Sequence, residues 1–177
     1  MKKWLKWTIL VLAVAALFHL ATVAFLPRAI MAHVSKKALQ LKNASVNRAI
    51  HQPPVSADEK TVVMPCPDLL YTLCVYDVGR GPLRIRTPSP GDTYFSIALY
   101  ASNTDNFFVV NDRMLPKGGK EIILVGKGTP QPPSGNYALV EAPTTKGILL
   151  CRILITDEKR LDDARNIQRQ ITIAPFR

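Results

Sequence analysis

The predicted folded domain of this chain has no histidine. The 177 residues contain only His19, His33 and His51, and all three precede residue 60, where we expect the domain to begin. A histidine-based catalytic triad or dyad within the domain is therefore excluded. This absence removes the commonest hydrolase arrangements.

Cysteine is also scarce and is spaced unlike a metal site. Cys66, Cys74 and Cys151 include no CxxC pair, and no histidine of the domain could complete a zinc set. The sequence lacks HExxH, and its nearest approach to a phosphate loop fails because Lys127 is followed by Gly128 rather than by Ser or Thr. We therefore expect no metal and no cofactor.

Acidic residues are missing from the first 50 positions, which hold eight Lys or Arg. Residues 51–177 carry fifteen basic and thirteen acidic residues, so most of the net charge of +10 lies outside the domain. A nucleic-acid-binding protein would carry its excess on the folded domain. Nucleic acid is therefore not an expected partner, and the basic N-terminal region indicates a membrane surface.

An uncharged run from Trp7 to Leu26 follows a short tail that contains three lysines. About 20 apolar residues suffice to cross a hydrocarbon core of roughly 30 Å as a helix. A signal peptide cleaved after Ala24 is the alternative, but signal regions usually have about 7–15 apolar residues and this run continues past that point. We expect a tail at 1–6, a transmembrane anchor at 7–27, and a domain outside the cytoplasm.

Residues 29–50 contain no Gly or Pro and predict a stalk helix that ends before Pro53 and Pro54. Residues 28–59 would therefore form the stalk and a linker. From residue 60 to 177 the pattern changes to short β-type runs separated by turn residues. These runs are 69–78, 83–86, 93–101, 107–110, 122–125, 137–141 and 148–155.

Seven such runs predict a mainly β, antiparallel sandwich-like domain. One helix over residues 157–170, capped by Thr156, and a last strand over 171–174 would complete it. Alternation along the strands places Cys151 in the core and turns Arg152 away from it. Cys66 precedes a proline at a strand entrance and is the expected exposed thiol.

Two polar groups are candidates for ligand binding. The first, on one strand and its entry, consists of Asp68, Tyr71 and Asp77, with Tyr76 between them. The second, around the next hairpin, consists of Asn103, Asp105, Asn106 and Arg113, with Asp112 beside the arginine. Converging carboxylates could catalyse acid–base chemistry or bind a divalent cation. The alternative is that these residues only shape turns and solvated loops.

Aromatic residues of the same hairpin are candidates for a partner contact, since Tyr and Phe are favoured at interface cores. They are Tyr100, Phe107 and Phe108. In the alternative interpretation, the two phenylalanines belong to the core of the domain itself.

Short motifs in a fixed order carry a family resemblance. They are Pro67-Asp68-Leu69-Leu70-Tyr71, Tyr76-Asp77-Val78, Gly81-Pro82-Leu83, Gly91-Asp92-Thr93-Tyr94-Phe95-Ser96 and Asn103-Thr104-Asp105-Asn106. Together they resemble the bacterial domain-of-unknown-function family numbered twelve-fifty-four, in its short, single-pass membrane-anchored form. The resemblance implies a β-rich domain at the cell envelope, which here would face the periplasm from a bacterial inner membrane. In long members it also implies a second β-rich domain. It implies no catalytic residue.

The sequence therefore predicts a single-pass envelope protein of unknown biochemistry, with a non-catalytic domain that binds a partner or a ligand. The expected partner is a second membrane-anchored, β-rich envelope protein. Two alternatives remain open. One is a periplasmic hydrolase or lyase that uses Asp68 with Asp77, or Asp105 with Asp112; the other is a module that senses lipid through its stalk.

Overall fold

A computed structural model describes residues 2–41, 43–56, 65–130, 132–157 and 160–176. It begins with one long helix, α1 (Lys2–Leu39), which contains the whole apolar run and passes through Pro27. At 1.5 Å per residue, α1 is about 57 Å long, almost twice the thickness of a hydrocarbon core. Within the described residues, this is the one helix long and apolar enough to cross a membrane.

The predicted stalk helix is the C-terminal part of α1, but it ends at Leu39 rather than at residue 50. The chain then turns through Asn43 and Asn47, whose φ angles are 62° and 64°. Asparagine tolerates this left-handed conformation better than most side chains, which explains why a sequence without Gly or Pro leaves the helix here. Residues 57–59 of the predicted linker and the first residues of the predicted domain, 60–64, lie outside the described residues.

Within the described residues, nine strands form two sheets. In chain order they are β1 (Ile50–His51), β2 (Leu69–Asp77), β3 (Leu83–Thr87), β4 (Phe95–Ala101), β5 (Asn106–Asn111), β6 (Lys120–Gly126), β7 (Ala138–Ala142), β8 (Lys146–Leu154) and β9 (Thr172–Pro175). The first sheet has the order β1-β2-β8-β4-β5, and the second has the order β7-β6-β3-β9. The mainly β fold is confirmed, with each of the seven predicted runs present as a strand.

The second sheet departs from a purely antiparallel arrangement, because β7 pairs parallel with β6. The connection between them, residues 127–137, is long enough to carry the chain back to the start of β6. The core lies between the sheets and is built from the inward positions of both. Its largest fully buried side chains include Leu70, Tyr76, Phe95, Ile97, Ile122 and Ile153.

Helix α2 (Leu161–Gln170) connects the two sheets. It begins at Leu161, and Arg160 occupies its N-cap position without a side-chain bond, so the predicted cap at Thr156 is wrong. Gln168 is buried and donates from Nε2 to the carbonyl oxygens of Gln52 (3.0 Å) and Tyr71 (2.8 Å). The amide thereby satisfies backbone groups just where β1 stops pairing with β2.

The outer face of the second sheet is covered by the chain itself. Ile123 faces away from the core on β6, yet it is fully buried. Its cross-strand neighbour is Arg84, whose guanidinium lies 4.7 Å from the ring centroid of Phe176. Phe176 in turn meets the ring of Tyr137 edge-on at 6.1 Å. These side chains remove the outer face of β6 from water.

Candidate functional site

The register of the first sheet aligns four polar side chains across its outer face. Tyr71 on β2 pairs with Arg152 on β8, Arg152 pairs with Ser96 on β4, and Ser96 pairs with Asn111 on β5. Because directly paired residues point to the same face, these four form one lateral line. We call this set the polar row.

Two members of the polar row are held by neighbours. The Tyr94 hydroxyl donates to Ser96 Oγ at 3.0 Å, and Ser96 is only 5% exposed. The Tyr71 hydroxyl accepts a hydrogen bond from the backbone N–H of Cys66 at 2.9 Å. These contacts fix the hydroxyl groups at the two sides of Arg152.

The other two members have no side-chain partner among the described residues. Arg152 is half-buried, and within the described chain it makes no hydrogen bond and has no carboxylate within 4.0 Å. Asn111 Oδ1 is buried and has no hydrogen-bond partner among the described residues. Buried polar groups of proteins are normally paired, so this part of the row has unused binding capacity.

Two residues further along the strands, the next line of side chains on the same face is apolar. It consists of Leu73, Leu150, Ala98 and Val109, in the strand order β2-β8-β4-β5. Val109 on the edge strand is 45% exposed. We call this set the apolar row. Polar and apolar rows therefore lie side by side on one face.

Helix α1 covers the part of this face beyond the apolar row. It contacts β2 and β8. Val75 and Ile148 point outward there, yet they are only 7% and 6% exposed. On α1, Met31, Ser35 and Ala38 are less exposed than their neighbours and recur at helical spacing, so they indicate the side that faces the sheet. The open part of the face thus begins directly beside the apolar helix.

Asp77 lies at the far end of β2, where it is used for structure. Asn47 holds its backbone at both sides, donating from Nδ2 to the Asp77 carbonyl (2.9 Å) and accepting from its N–H (2.6 Å). The Asp77 carboxylate accepts from the N–H of Gly79 (2.9 Å) and lies 3.7 Å from Lys146 Nζ. These contacts fix a turn and leave the carboxylate occupied.

The predicted hairpin residues also shape a turn. The side chains of Asn103 and Asp105 bond to each other across Thr104, whose φ is 72°. Asn106 begins β5 and is exposed. The arrangement fits the turn-forming alternative that the sequence left open.

Asp68 and Arg113 lie at the opposite end of the sheet. Asp68 is exposed, and its carbonyl oxygen accepts from the N–H of Ile155 at 2.7 Å. Arg113 is exposed in a short 3-10 turn, and Asp112 beside it accepts from the N–H of Phe95 at 3.3 Å. Strand β2 separates Asp68 from Asp77 by about 30 Å.

The carboxylate pairs expected from the sequence are therefore not brought together. Asp68 and Asp77 bracket β2, while Asp105 and Asp112 bracket β5. Neither pair can share a proton or a substrate across the length of a strand. In addition, the described residues contain no group of three metal-ligating side chains.

The three aromatic hairpin residues are partly used by the domain itself. Phe107 and Phe108 are half-buried and pack against the core. Tyr100 is half-buried beside a bulge in the pairing of β4 with β5, and its carbonyl oxygen accepts from the Tyr76 hydroxyl at 3.0 Å. The most exposed apolar side chain of this hairpin is Val109, which the sequence analysis did not single out.

Cys151 lies in the core, as alternation predicted, whereas Cys66, the expected exposed thiol, is the most accessible of the three but is only half-buried. Cys74 and Cys151 are fully buried and free, whereas Cys66 is half-buried and free. Burial raises the pKa of Cys74 to about 12, partly offset by backbone hydrogen bonds from Asn47 and Arg48. Burial also raises the pKa of Cys151 and of the Tyr76 hydroxyl. The two inner thiols are therefore protonated near neutral pH and unsuited to nucleophilic chemistry.

His51 is a correction to the sequence analysis, which placed it in the stalk. It belongs to β1, and its Nδ1 lies 2.9 Å from Thr72 Oγ1. Partial desolvation against the sheet lowers the pKa of its imidazole. The folded domain therefore includes one histidine, positioned to fasten a sheet edge.

Sequence reasoning missed Arg152, Ser96 and Asn111 as site residues because they are spread over 57 positions of the chain. Each residue alone looks like an ordinary outward-facing position of a strand. The signal that unites them is the order and register of the strands, which depend on long-range pairing. Only Tyr71 of the polar row was a sequence candidate.

The comparisons with known proteins concern family and fold. A family described as a protein of unknown function, DUF1254, matches residues 46–175. No curated protein matches the chain. The solved VPA0106 protein of Vibrio parahaemolyticus is similar in fold at 14% identity and a TM-score of 0.62, over 85% of this chain and 37% of that chain. An uncharacterised Burkholderia cenocepacia protein is similar at 20% identity and a TM-score of 0.50, over 82% and 40%. The chain spans less than half the length of either protein.

Proposed function

Because the chain belongs to the DUF1254 family, whose description assigns no activity, we propose a function from its own geometry. The protein is a single-pass, membrane-anchored envelope protein of bacteria that acts by binding a partner, not by catalysis. Its domain faces the periplasm, and its partner is a second β-rich envelope protein held on the same membrane. The observation that carries the proposal is the unprotected edge strand β5.

Strand β5 pairs with β4 on one side only within the described sheet. Its six residues include no proline and no charged side chain. The other edges are guarded: β1 has two residues, β9 ends in a proline, and β7 carries a glutamate. Proteins usually protect edge strands with such features, because an exposed edge can pair with a strand of another chain.

Three of the exposed apolar side chains of the domain lie on or beside β4 and β5. Val109 on β5 is 45% exposed, Tyr94 before β4 is 42% exposed, and Met114 after β5 is 60% exposed. An added strand would gain main-chain hydrogen bonds from β5 and side-chain contacts from these residues. This surface includes less of Tyr100, Phe107 and Phe108, because these three side chains are half-buried.

The membrane favours such an encounter. The short N-terminal tail is basic, and a long following domain can be exported whatever its charge, which supports a periplasmic domain. Two proteins anchored in one bilayer have a raised effective concentration, so a modest interface suffices.

The carboxylate-dependent hydrolase or lyase receives less support. It would need Asp68 and Asp77, or Asp105 and Asp112, to converge on one substrate. Strands β2 and β5 hold the members of these pairs apart. The binding function is therefore the one that we propose.

Photocrosslinking in native membranes tests the proposal. A photoreactive residue at Val109 should give a crosslink to a different, membrane-anchored and β-rich protein, and Val109→Asp should abolish the association. The matched control is a photoreactive residue at Leu139, which is 39% exposed but lies on the β7 edge. Equal crosslinking from both positions, or crosslinks only between copies of this chain, would contradict the proposal.

A further inference from the structure

The polar row contains an arginine whose charge the described chain does not balance. Arg152 is half-buried and has no described carboxylate or hydrogen-bond acceptor as a partner. On the second sheet, in contrast, Arg84 and Arg86 both contact Glu121, at 3.0 and 3.1 Å. We infer that the polar row binds the anionic group of an amphiphile through Arg152, while the apolar part of that amphiphile lies on Leu73 and Leu150.

The polar side of the site suits a phosphate or a carboxylate. The guanidinium group presents a planar fork of donors that matches either anion. Ser96, on the neighbouring strand, is buried and held by Tyr94, so its hydroxyl is fixed in place. The polar side chains on the three strands β2, β8 and β4 give the site a width of about 10 Å.

The apolar side of the site points to an amphiphile rather than to a free anion. Leu73 lies two residues after Tyr71 and Leu150 lies two residues before Arg152, on the same face and about 7 Å away along the strands. Both leucines are half-buried, and the next outward residues are covered by α1. A hydrocarbon chain placed on them would lie between the charged group and the membrane helix.

This inference does not depend on the partner proposed above. It rests on β2, β8 and β4, whereas the partner contact rests on the free edge of β5. A phospholipid headgroup and a soluble fatty acid share the required chemistry, and the experiment separates them.

The test uses the full-length protein in non-ionic detergent. It is titrated in separate arms with short-chain phosphatidylglycerol, with laurate and with short-chain phosphatidylcholine, and binding is followed by native mass spectrometry. At least one anionic amphiphile should bind more tightly than phosphatidylcholine. Arg152→Gln should weaken that binding roughly ten- to hundredfold, because a charge-assisted hydrogen bond is lost.

Three further variants separate the contributions of charge, guanidinium geometry and apolar contact to binding. Arg152→Lys should retain part of the affinity, since it keeps the charge but not the fork. Leu150→Asn should weaken binding through the apolar half. Arg80→Gln is the matched control, because Arg80 is exposed, has no described partner and lies outside the polar row; it should bind like the original protein.

Binding of phosphatidylglycerol alone supports a membrane lipid as the source, and binding of laurate alone supports a soluble fatty acid. The inference is overturned if no anionic amphiphile binds, or if Arg152→Gln binds as well as the original protein. Equal weakening in Arg80→Gln would also overturn it, because the effect would then be one of general charge. So would inorganic phosphate that binds as tightly as the amphiphiles.

Discussion

The outer faces of the two sheets differ in how far their side chains are covered and their charges are paired. On the second sheet, Phe176 and Tyr137 fold over the strands, Ile123 is fully buried, and Glu121 balances Arg84 and Arg86. On the first sheet, α1 covers one part of the face, while Arg152 is half-buried without a described partner and β5 has a free edge within the described sheet. The middle of the second sheet's outer face, at Ile123, is fully buried and behaves as core.

This difference shows where binding capacity remains. The described residues supply an aromatic cover and a counter-charge for the second sheet, and they supply no counter-charge for Arg152 on the first sheet. Open polar and apolar positions on a stable sheet are typical of surfaces that meet a ligand or a partner. The unused binding capacity of the domain therefore lies on the first sheet.

The largest expected effect tests whether the outer face of the second sheet is core. Ile123→Asp would place an unpaired charge in a fully buried position and should destabilise the domain by several kcal/mol in order of magnitude. Val109→Asp, on the open face of the first sheet, should change stability by less than about 1 kcal/mol. Urea unfolding followed by circular dichroism would compare them; equal losses would remove the distinction between the faces.

The intermediate effect tests whether the arginines of the second sheet depend on Glu121 while Arg152 of the first sheet depends on no carboxylate. Glu121→Gln leaves Arg84 and Arg86 without their shared carboxylate and should cost about 1–2 kcal/mol, after allowance for partial exposure. Arg152→Gln removes no described contact and should lie within about 0.5 kcal/mol of the original protein, or be more stable. Thermal unfolding of the two variants measures both, and a larger loss in Arg152→Gln would mean that its charge is already satisfied.

The smallest effect concerns the β1 edge of the first sheet. The pKa of His51 is lower in the folded domain than its usual value, so the folded state disfavours the charged imidazole. The stabilising contribution is therefore present above the unfolded pKa of about 6.5 and is lost as the pH falls through the folded value. The melting temperature should decline slightly on acidification through this range. His51→Asn should weaken that decline, and an unchanged profile would contradict the assignment.

The sequence predicted the elements better than their arrangement. Alternating residues such as Leu149, Cys151 and Ile153 identified strands and inner faces, because a half-buried strand imposes a period of two. Lateral lines such as the polar row could not be predicted, since the pairing of residue 71 with 152 depends on the whole sheet. The end of α1 was also missed, because no Gly or Pro marks it and two asparagines make the turn. The carboxylates near one another in sequence were separated by the length of a strand.

The packing of α1 against β2 and β8 has a consequence for how the protein meets other molecules. A domain on a flexible tether rotates freely and offers every side to its surroundings, whereas a domain packed against a helix keeps one heading relative to that helix. With α1 in a bilayer, as we propose, the polar row and the β5 edge would be held at set heights above the lipid surface. Encounters would then be a search in two dimensions, in which a neighbour moving laterally in the bilayer meets the same side of this protein each time.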